Sequence, residues 1–276
     1  MDDQRERFDR IAAGYARWWA PVIAPAAVTV LDRLGPVIGG GARRILDVGT
    51  GTGTLAIAAI RRWPEVRVTG IDVSPGMIDA AGAEADRLLS ADDRRRLDLR
   101  VAPADELGLP DASFDAAMSS FVLQLVPNRF RALREVRRVL GPGGTFAWVT
   151  WLSRQGEVWA PDDDFDDALE EVDEEPRGWD PPRDDISDPA AAVSQMRRAG
   201  YTEVQAEPDE LVHPFTADEF ISFMSEFDEE DLVTHLDPEV RRRFEDALRR
   251  RLARRTPDQM ALRHRVVRVI GRRTAR

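Results

Sequence analysis

The stretch Ile45-Leu-Asp-Val-Gly-Thr-Gly-Thr-Gly53 decides the fold. Two apolar residues lead into Asp47, glycines fall at positions 49, 51 and 53, and an apolar run, Leu55 to Ile60, follows at once. Strand, glycine turn and helix in that order form a nucleotide-binding crevice at the carboxyl end of a parallel strand. Glycine serves there because the turn needs unusual backbone angles and because a Cβ would hold a ligand off the main chain. A dinucleotide fingerprint spaces its glycines G-x-G-x-x-G and seats a pyrophosphate on the helix N-terminus. Here the spacing is G-x-G-x-G, Thr54 stands where the third dinucleotide glycine would fall, and Asp47 lies two residues before the first glycine. A carboxylate at that place repels a pyrophosphate and suits an ammonium group. Asp72 closes the next predicted strand, Val66 to Asp72, 19 residues after Gly53. An acid at that distance is placed to accept both hydroxyls of a ribose.

This combination resembles the class I S-adenosylmethionine-dependent methyltransferases, in particular the small-molecule enzymes related to those of quinone and biotin biosynthesis. Their ligand carries an amino acid and a sulfonium but no phosphate. The resemblance is nearly continuous from Ile45 to Trp151 and includes LREVRRVLGPGGTFAWVTW, Leu133 to Trp151. It reaches back to FDRIAAGYARWW, Phe8 to Trp19, which is similar to the entry helix of those enzymes. The fold it implies is α/β, a Rossmann-like doubly wound seven-stranded sheet of order 3-2-1-4-5-7-6 with the last strand antiparallel, with N-terminal helices and a helical cap. The cofactor it implies is S-adenosylmethionine. Asp47 and the backbone of Gly49 would then hold the ammonium, Thr50, Gly51 and Gly53 complete the cradle, and Asp72 takes the ribose. Val73 and Met77 would lie on the adenine faces, Tyr15 near the methionine end, and Ser120 at the carboxyl end of the fourth strand. Met77 reads equally well as core packing, as do Trp18 and Trp19.

One departure from the family pattern stands out. Those enzymes usually carry Gly-Asp-Ala-Glu where this chain has Ala102-Pro-Ala-Asp105, and the usual adenine-binding acid becomes Pro103. Proline has neither a carboxylate nor an N–H. Adenine recognition is therefore expected from the backbone of Ala104, with Asp105 as a substitute acid. Gln124, just past the fourth strand, occupies a position from which crevice residues come in open α/β sheets. Gln124, Tyr15 and His213 are the groups considered for a catalytic role. The three histidines have no metal-ligand spacing, and no metal site is expected.

Around this core the chain divides into residues 1–41, N-terminal helices covering the site; 42–151, the cofactor-binding core; 152–187, an acidic lid or insertion; and 188–276, the rest of the core with a helical cap. Periodicity predicts helices over Arg5 to Trp19 and Pro25 to Leu34, broken by the glycine-rich stretch Gly35 to Gly41. Ser74 followed by Pro75 marks a helix start. Between Leu152 and Ala190 there are 15 acids and 3 arginines, whereas Arg241 to Arg276 carries 14 arginines and 3 acids. The two runs either pair with each other or form separate solvated faces. The stretch from Pro161 to Asp185 is polar and proline-rich enough to be expected outside the core and weakly held.

The net charge is −11, 43% of residues are hydrophobic, and there is no cysteine, so disulfides and thiolate chemistry are excluded. The polar N-terminus does not read as a signal peptide, and the longest apolar run, Ala20 to Leu31, holds two prolines and is too short to span a bilayer. A cytoplasmic enzyme acting on a small-molecule acceptor is expected, with no transmembrane segment and no nucleic-acid partner, because the segment expected to border the pocket is acidic. The alternatives are an RNA or protein methyltransferase, for which only the basic C-terminal helix speaks, and a non-catalytic protein that binds the cofactor or a metabolite. The acceptor, the methylated atom and the oligomeric state are not legible in the sequence.

Overall fold

The computed structural model describes residues 2–153, 159–175 and 186–274. In chain order the elements are α1 (Asp2–Gly14), α2 (Ala20–Gly39), β1 (Arg44–Val48), α3 (Thr54–Arg62), β2 (Arg67–Asp72), α4 (Pro75–Leu88), α5 (Ala91–Arg94) and β3 (Leu97–Val101). They continue with β4 (Phe114–Ser120), α6 (Arg129–Val139), β5 (Leu140–Trp151), α7 (Ala160–Glu170), α8 (Pro189–Arg198) and β6 (Tyr201–Pro214). The chain closes with α9 (Ala217–Phe223), α10 (Glu230–His235), α11 (Pro238–Leu252), α12 (Pro257–Met260) and β7 (Ala261–Arg273). Two compact units result. The first comprises Met1–Ser153, Arg183–Asp209 and Arg265–Arg276, and the second Arg154–Pro182 and Glu210–His264.

The sheet has the expected order β3-β2-β1-β4-β5-β7-β6. The pairs from β3 across to β5 are parallel, and β7 lies antiparallel to β5 from Thr145↔Arg272 to Trp151↔Val266. The central strands are apolar almost without interruption because helices cover both faces. Ile45, Leu46 and Val48 of β1, Ala116 to Met118 of β4 and Phe146 to Val149 of β5 are all buried. The Ser74 hydroxyl caps α4 by accepting from Met77 N at 3.0 Å, with Pro75 at the first helical position as the sequence indicates.

The N-terminal helices differ from the expectation. No break occurs at the prolines or at Gly35; α1, a π-helical turn at Tyr15–Trp19 and α2 form one helical run. A proline inside a helix costs about 3 kcal/mol or more, and α2 carries Pro25 and Pro36 internally. Against this stand Val22, Ile23, Val30, Leu31, Leu34 and Ile38, buried at helical spacing where α2 packs on β4 and β5. Each such side chain contributes about 1.5–3 kcal/mol, so burial outweighs the two prolines. By length and composition the run 5–39 would also pass as a membrane span; in this structure the apolar face of α2 is a core face.

The acidic stretch corrects a second expectation. Within the second unit, residues 160–170 form α7, and Phe165, Ala168 and Leu169 on it are buried. Phe165 meets Phe244 of α11 edge-on at 5.1 Å, and Trp159 meets Phe220 at 5.2 Å. The charge runs pair: Arg250 with Glu171 at 2.6 Å, Arg251 with Asp167 at 2.7 Å, and Arg255 with both oxygens of Asp164 at 2.7 and 2.8 Å. A polar composition hid one apolar helical face whose partner lies some 80 residues along the chain. Trp179 and the rest of the proline-rich part, 176–185, lie outside the described residues.

The Asp164 side chain is 5% exposed. Arg255→Ala would strand this carboxylate, and breaking such a pair costs about 3–5 kcal/mol. The unfolding transition of the second unit should fall accordingly in a denaturant titration, and Asp164→Leu combined with Arg255→Met should recover most of the loss. An unchanged midpoint in Arg255→Ala would show that the pair does not hold α7.

Candidate active site

The glycine turn leaves β1 with Gly49, Gly51 and Gly53 at φ of +68°, +53° and +85°, where only glycine sits without strain. Its amides are laced to β2. Thr50 N donates to Ile71 O at 2.7 Å, and Gly51 N donates to Asp72 Oδ2 at 2.9 Å. Asp72 Oδ1 accepts from Ser74 N at 3.0 Å. Burial pushes the Asp72 pKa above the ordinary carboxylate value, with the bonds from Ser74 and Gly51 opposing it. Each Asp72 oxygen retains a lone pair for a further donor.

Asp47 lies beneath the turn, fully buried. The Thr50 hydroxyl donates to its Oδ2 at 2.7 Å, while Oδ1 is buried without a partner. Burial pushes the Asp47 pKa up to about 7, the Thr50 hydroxyl pulling it down and the nearby Asp72 charge adding to the rise.

A cavity opens over the turn, within the first unit, with about 1000 Å³ of empty space once the open solvent at its mouth is included. It collects most of the residues singled out from the sequence: Tyr15, Gly49, Thr50, Gly51, Asp72, Val73, Met77, Ala104, Asp105 and Ser120 all line it. Asp47 and Gly53 do not. Gly53 serves packing instead, since a Cβ there would meet Ala81 and Ile57 at 3.2 Å. Gln124 also stays out of the lining, with both ends of its amide engaged: Nε2 donates to Phe121 O at 2.8 Å and Oε1 accepts from Thr150 Oγ1 at 2.5 Å. His213 belongs to the second unit, edge-on to Phe215 at 4.7 Å, and is not among the lining residues. Burial, countered by Glu219, holds its pKa below the ordinary imidazole value.

The remaining walls are apolar, among them Phe8, Ile23, Ala27, Phe121, Val122 and Leu125. Phe8 shares a face with Tyr15 in the amphipathic pattern of the entry helix, so its presence had a signal. Phe121 and Val122 had none. Phe121 takes φ +54°, a strained value for an aromatic residue. Val122 occupies the space beside Gly49 so closely that a Cβ on that glycine would come within 2.3 Å of it. Burial and the Asp72 charge raise the Tyr15 pKa far above the phenol value, so its hydroxyl stays protonated. Among the described residues no three His, Asp or Glu converge as metal ligands.

Residues 46–148, the span that builds this turn and most of the cavity, match a family profile described as a methyltransferase domain. That span of the chain is similar to a methyltransferase domain. The ubiquinone/menaquinone biosynthesis C-methyltransferase UbiE of Geobacter sp. (strain M21) is 43% identical over 107 residues, covering 38% of this chain and 43% of that one. The aklanonic acid methyltransferase DauC of Streptomyces sp. (strain C5) is 33% identical over 153 residues, covering 55% of this chain and 66% of that one. The chain thus spans less than half the length of the UbiE relative. Among solved structures, phosphoethanolamine N-methyltransferase 2 of Haemonchus contortus superposes with a TM-score of 0.58 at 16% identity, over 99% of this chain and 59% of that one. The [4+2]-cyclase SpnF superposes at 0.53 with 22% identity, over 89% and 82%. Likeness at that level establishes the Rossmann-like fold, and the cyclase shows that activity has to be argued from the site.

The buried Asp47 should make the stability of the first unit depend on pH. Its folded pKa of about 7 exceeds the ordinary value of 3.8, so between those pH values the folded state binds more protons than the unfolded one. Stability from this group is then present at low pH and lost as pH rises through about 7. Asp47→Asn removes that loss. Urea unfolding should show the variant gaining on the wild type as pH rises from 5 to 8. Parallel profiles would mean that Asp47 ionises freely in the fold.

Proposed function

We propose that the protein transfers the methyl group of S-adenosylmethionine to an O, N or C atom of a small-molecule acceptor. The observation that carries the reading is the Asp72 carboxylate, held at the edge of the glycine turn by Gly51 N and Ser74 N with lone pairs to spare. The residues present fit this cofactor. Gly51 faces open space where a Cβ would stand, so a ligand can approach its backbone.

Bound there, the cofactor supplies an activated methyl on a sulfonium. The chain's part is to bind, orient and keep water out. Asp72 accepts the ribose hydroxyls, and the glycine turn takes the amino-acid end. Val73 and Met77 flank the base, whose edge meets Ala104 and Asp105 because Pro103 offers no donor. The Tyr15 hydroxyl, kept protonated, is a hydrogen-bond donor and not a base. The apolar walls at Phe8, Ile23, Phe121 and Leu125 favour an acceptor with little charge, in keeping with the ubiquinone/menaquinone name of one relative.

Each hydrogen bond to a charged group is worth about 1.5–3 kcal/mol. Asp72→Ala should therefore weaken S-adenosylmethionine and S-adenosylhomocysteine about tenfold to a few hundredfold in calorimetry, with the protein still folded. Equal affinity in the variant would remove Asp72 from the site.

A further inference from the structure

We infer that Asp9 is a positioning residue that fastens α1 over the cofactor cavity, and that the cofactor enters and leaves when this fastening opens about the π-helical turn at Tyr15–Trp19. The inference rests on reading the cavity as the cofactor site.

Helix α1 brings Phe8 to the cavity wall, and Tyr15 follows at its end, the two rings edge-on at 6.3 Å. It has little burial of its own to hold it there: from residue 5 to Gly14 only Ala12 is buried, whereas α2 buries nine residues. What ties α1 down is polar. Asp9 Oδ1 accepts from Ser74 Oγ at 2.5 Å and from Gly76 N at 2.9 Å, and Arg5 lies 3.9 Å from Oδ2. These donors form the first turn of α4, where the helix dipole favours a carboxylate. The backbones also meet closely, since a Cβ on Gly76 would come within 3.1 Å of Asp9 O.

The placement links the fastening to the ligand. Ser74 gives its N–H to Asp72 and its hydroxyl to Asp9, so the proposed ribose acid and the anchor of the roof share one residue. The helical run then changes register behind the anchor. Ala20 N donates to Tyr15 O, five residues back, and no residue of this turn is fully buried. A π-helical turn interrupts the i→i−4 ladder of a long helix and is a place where helices bend. With α2 packed on the sheet, α1 is the half free to swing.

The test is stopped-flow displacement of S-adenosylhomocysteine from the full chain, with hydrogen exchange of amides 5–14 measured on the ligand-free protein. Asp9→Ala removes the acceptor. Gly76→Ala leaves Asp9 in place and suits the helix better than glycine, but pushes α1 away. Both should speed dissociation about tenfold or more, the loss of a hydrogen bond to a charged group. Both should also speed exchange over 5–14 while leaving the strands unchanged. Asp9→Asn, which keeps an oxygen acceptor, should restore most of the wild-type rate. Unchanged dissociation and exchange in both variants would overturn the inference, and so would loosening throughout the first unit. If the wild type binds no S-adenosylhomocysteine, the cofactor reading falls, and unchanged exchange over 5–14 would overturn the fastening separately.

Discussion

The two turns at the edge of the cavity depend on one half-buried carboxylate. Asp72 accepts from Gly51 N and from Ser74 N, joining the turn after β1 to the turn after β2. Without it, the Gly51 and Ser74 amides would lose their partner, the buried Ser74 N–H at a cost of about 1–3 kcal/mol. The left-handed glycines make the first turn possible, and Asp72 keeps its amides in place. Ser74 extends the arrangement to α4 through Met77 N and to α1 through Asp9. The same negative charge adds to the rise that burial gives the pKa values of Tyr15 and Asp47. A cation over the turn would relieve that accumulation of acids, which is why the site suits an ammonium-bearing ligand.

The strands were the most legible part of the sequence. A parallel strand covered on both faces must be apolar throughout, and ILDV, FDAAM and TFAWVTW leave few other readings. The cap at Ser74-Pro75 is a local rule and held. The predicted break at Gly35-Pro36 failed because local propensity was weighed without the sheet that α2 packs on. The acidic segment failed for a related reason. The apolar positions Phe165, Ala168 and Leu169 gain their burial from α11, distant in sequence, and aspartates between them mask the period.

In the cavity lining, Gly49, Gly51 and Asp72 could be anticipated because backbone conformation and strand-end position constrain them. Depth could not. Asp47 belongs to the motif, yet strand alternation turns it beneath the turn and away from the cavity, where Thr50 is its partner. Val122 fills the space beside Gly49 only because Phe121 takes a left-handed backbone that no sequence rule assigns to an aromatic residue. Asp9 had no signal either, being an ordinary helix-surface acid until α4 is brought against it. The missed features all arise where two elements meet, and the ones read correctly are properties of one element.

The central claim is that this turn and Asp72 hold an adenosyl amino acid. A crystal structure of the protein with S-adenosylhomocysteine tests it most directly. The expected result is both ribose hydroxyls within hydrogen-bond distance of the Asp72 carboxylate, with the amino-acid end over Gly49 to Gly51. The ligand bound elsewhere, or density for a phosphate seated on Gly49 to Gly53, would contradict it.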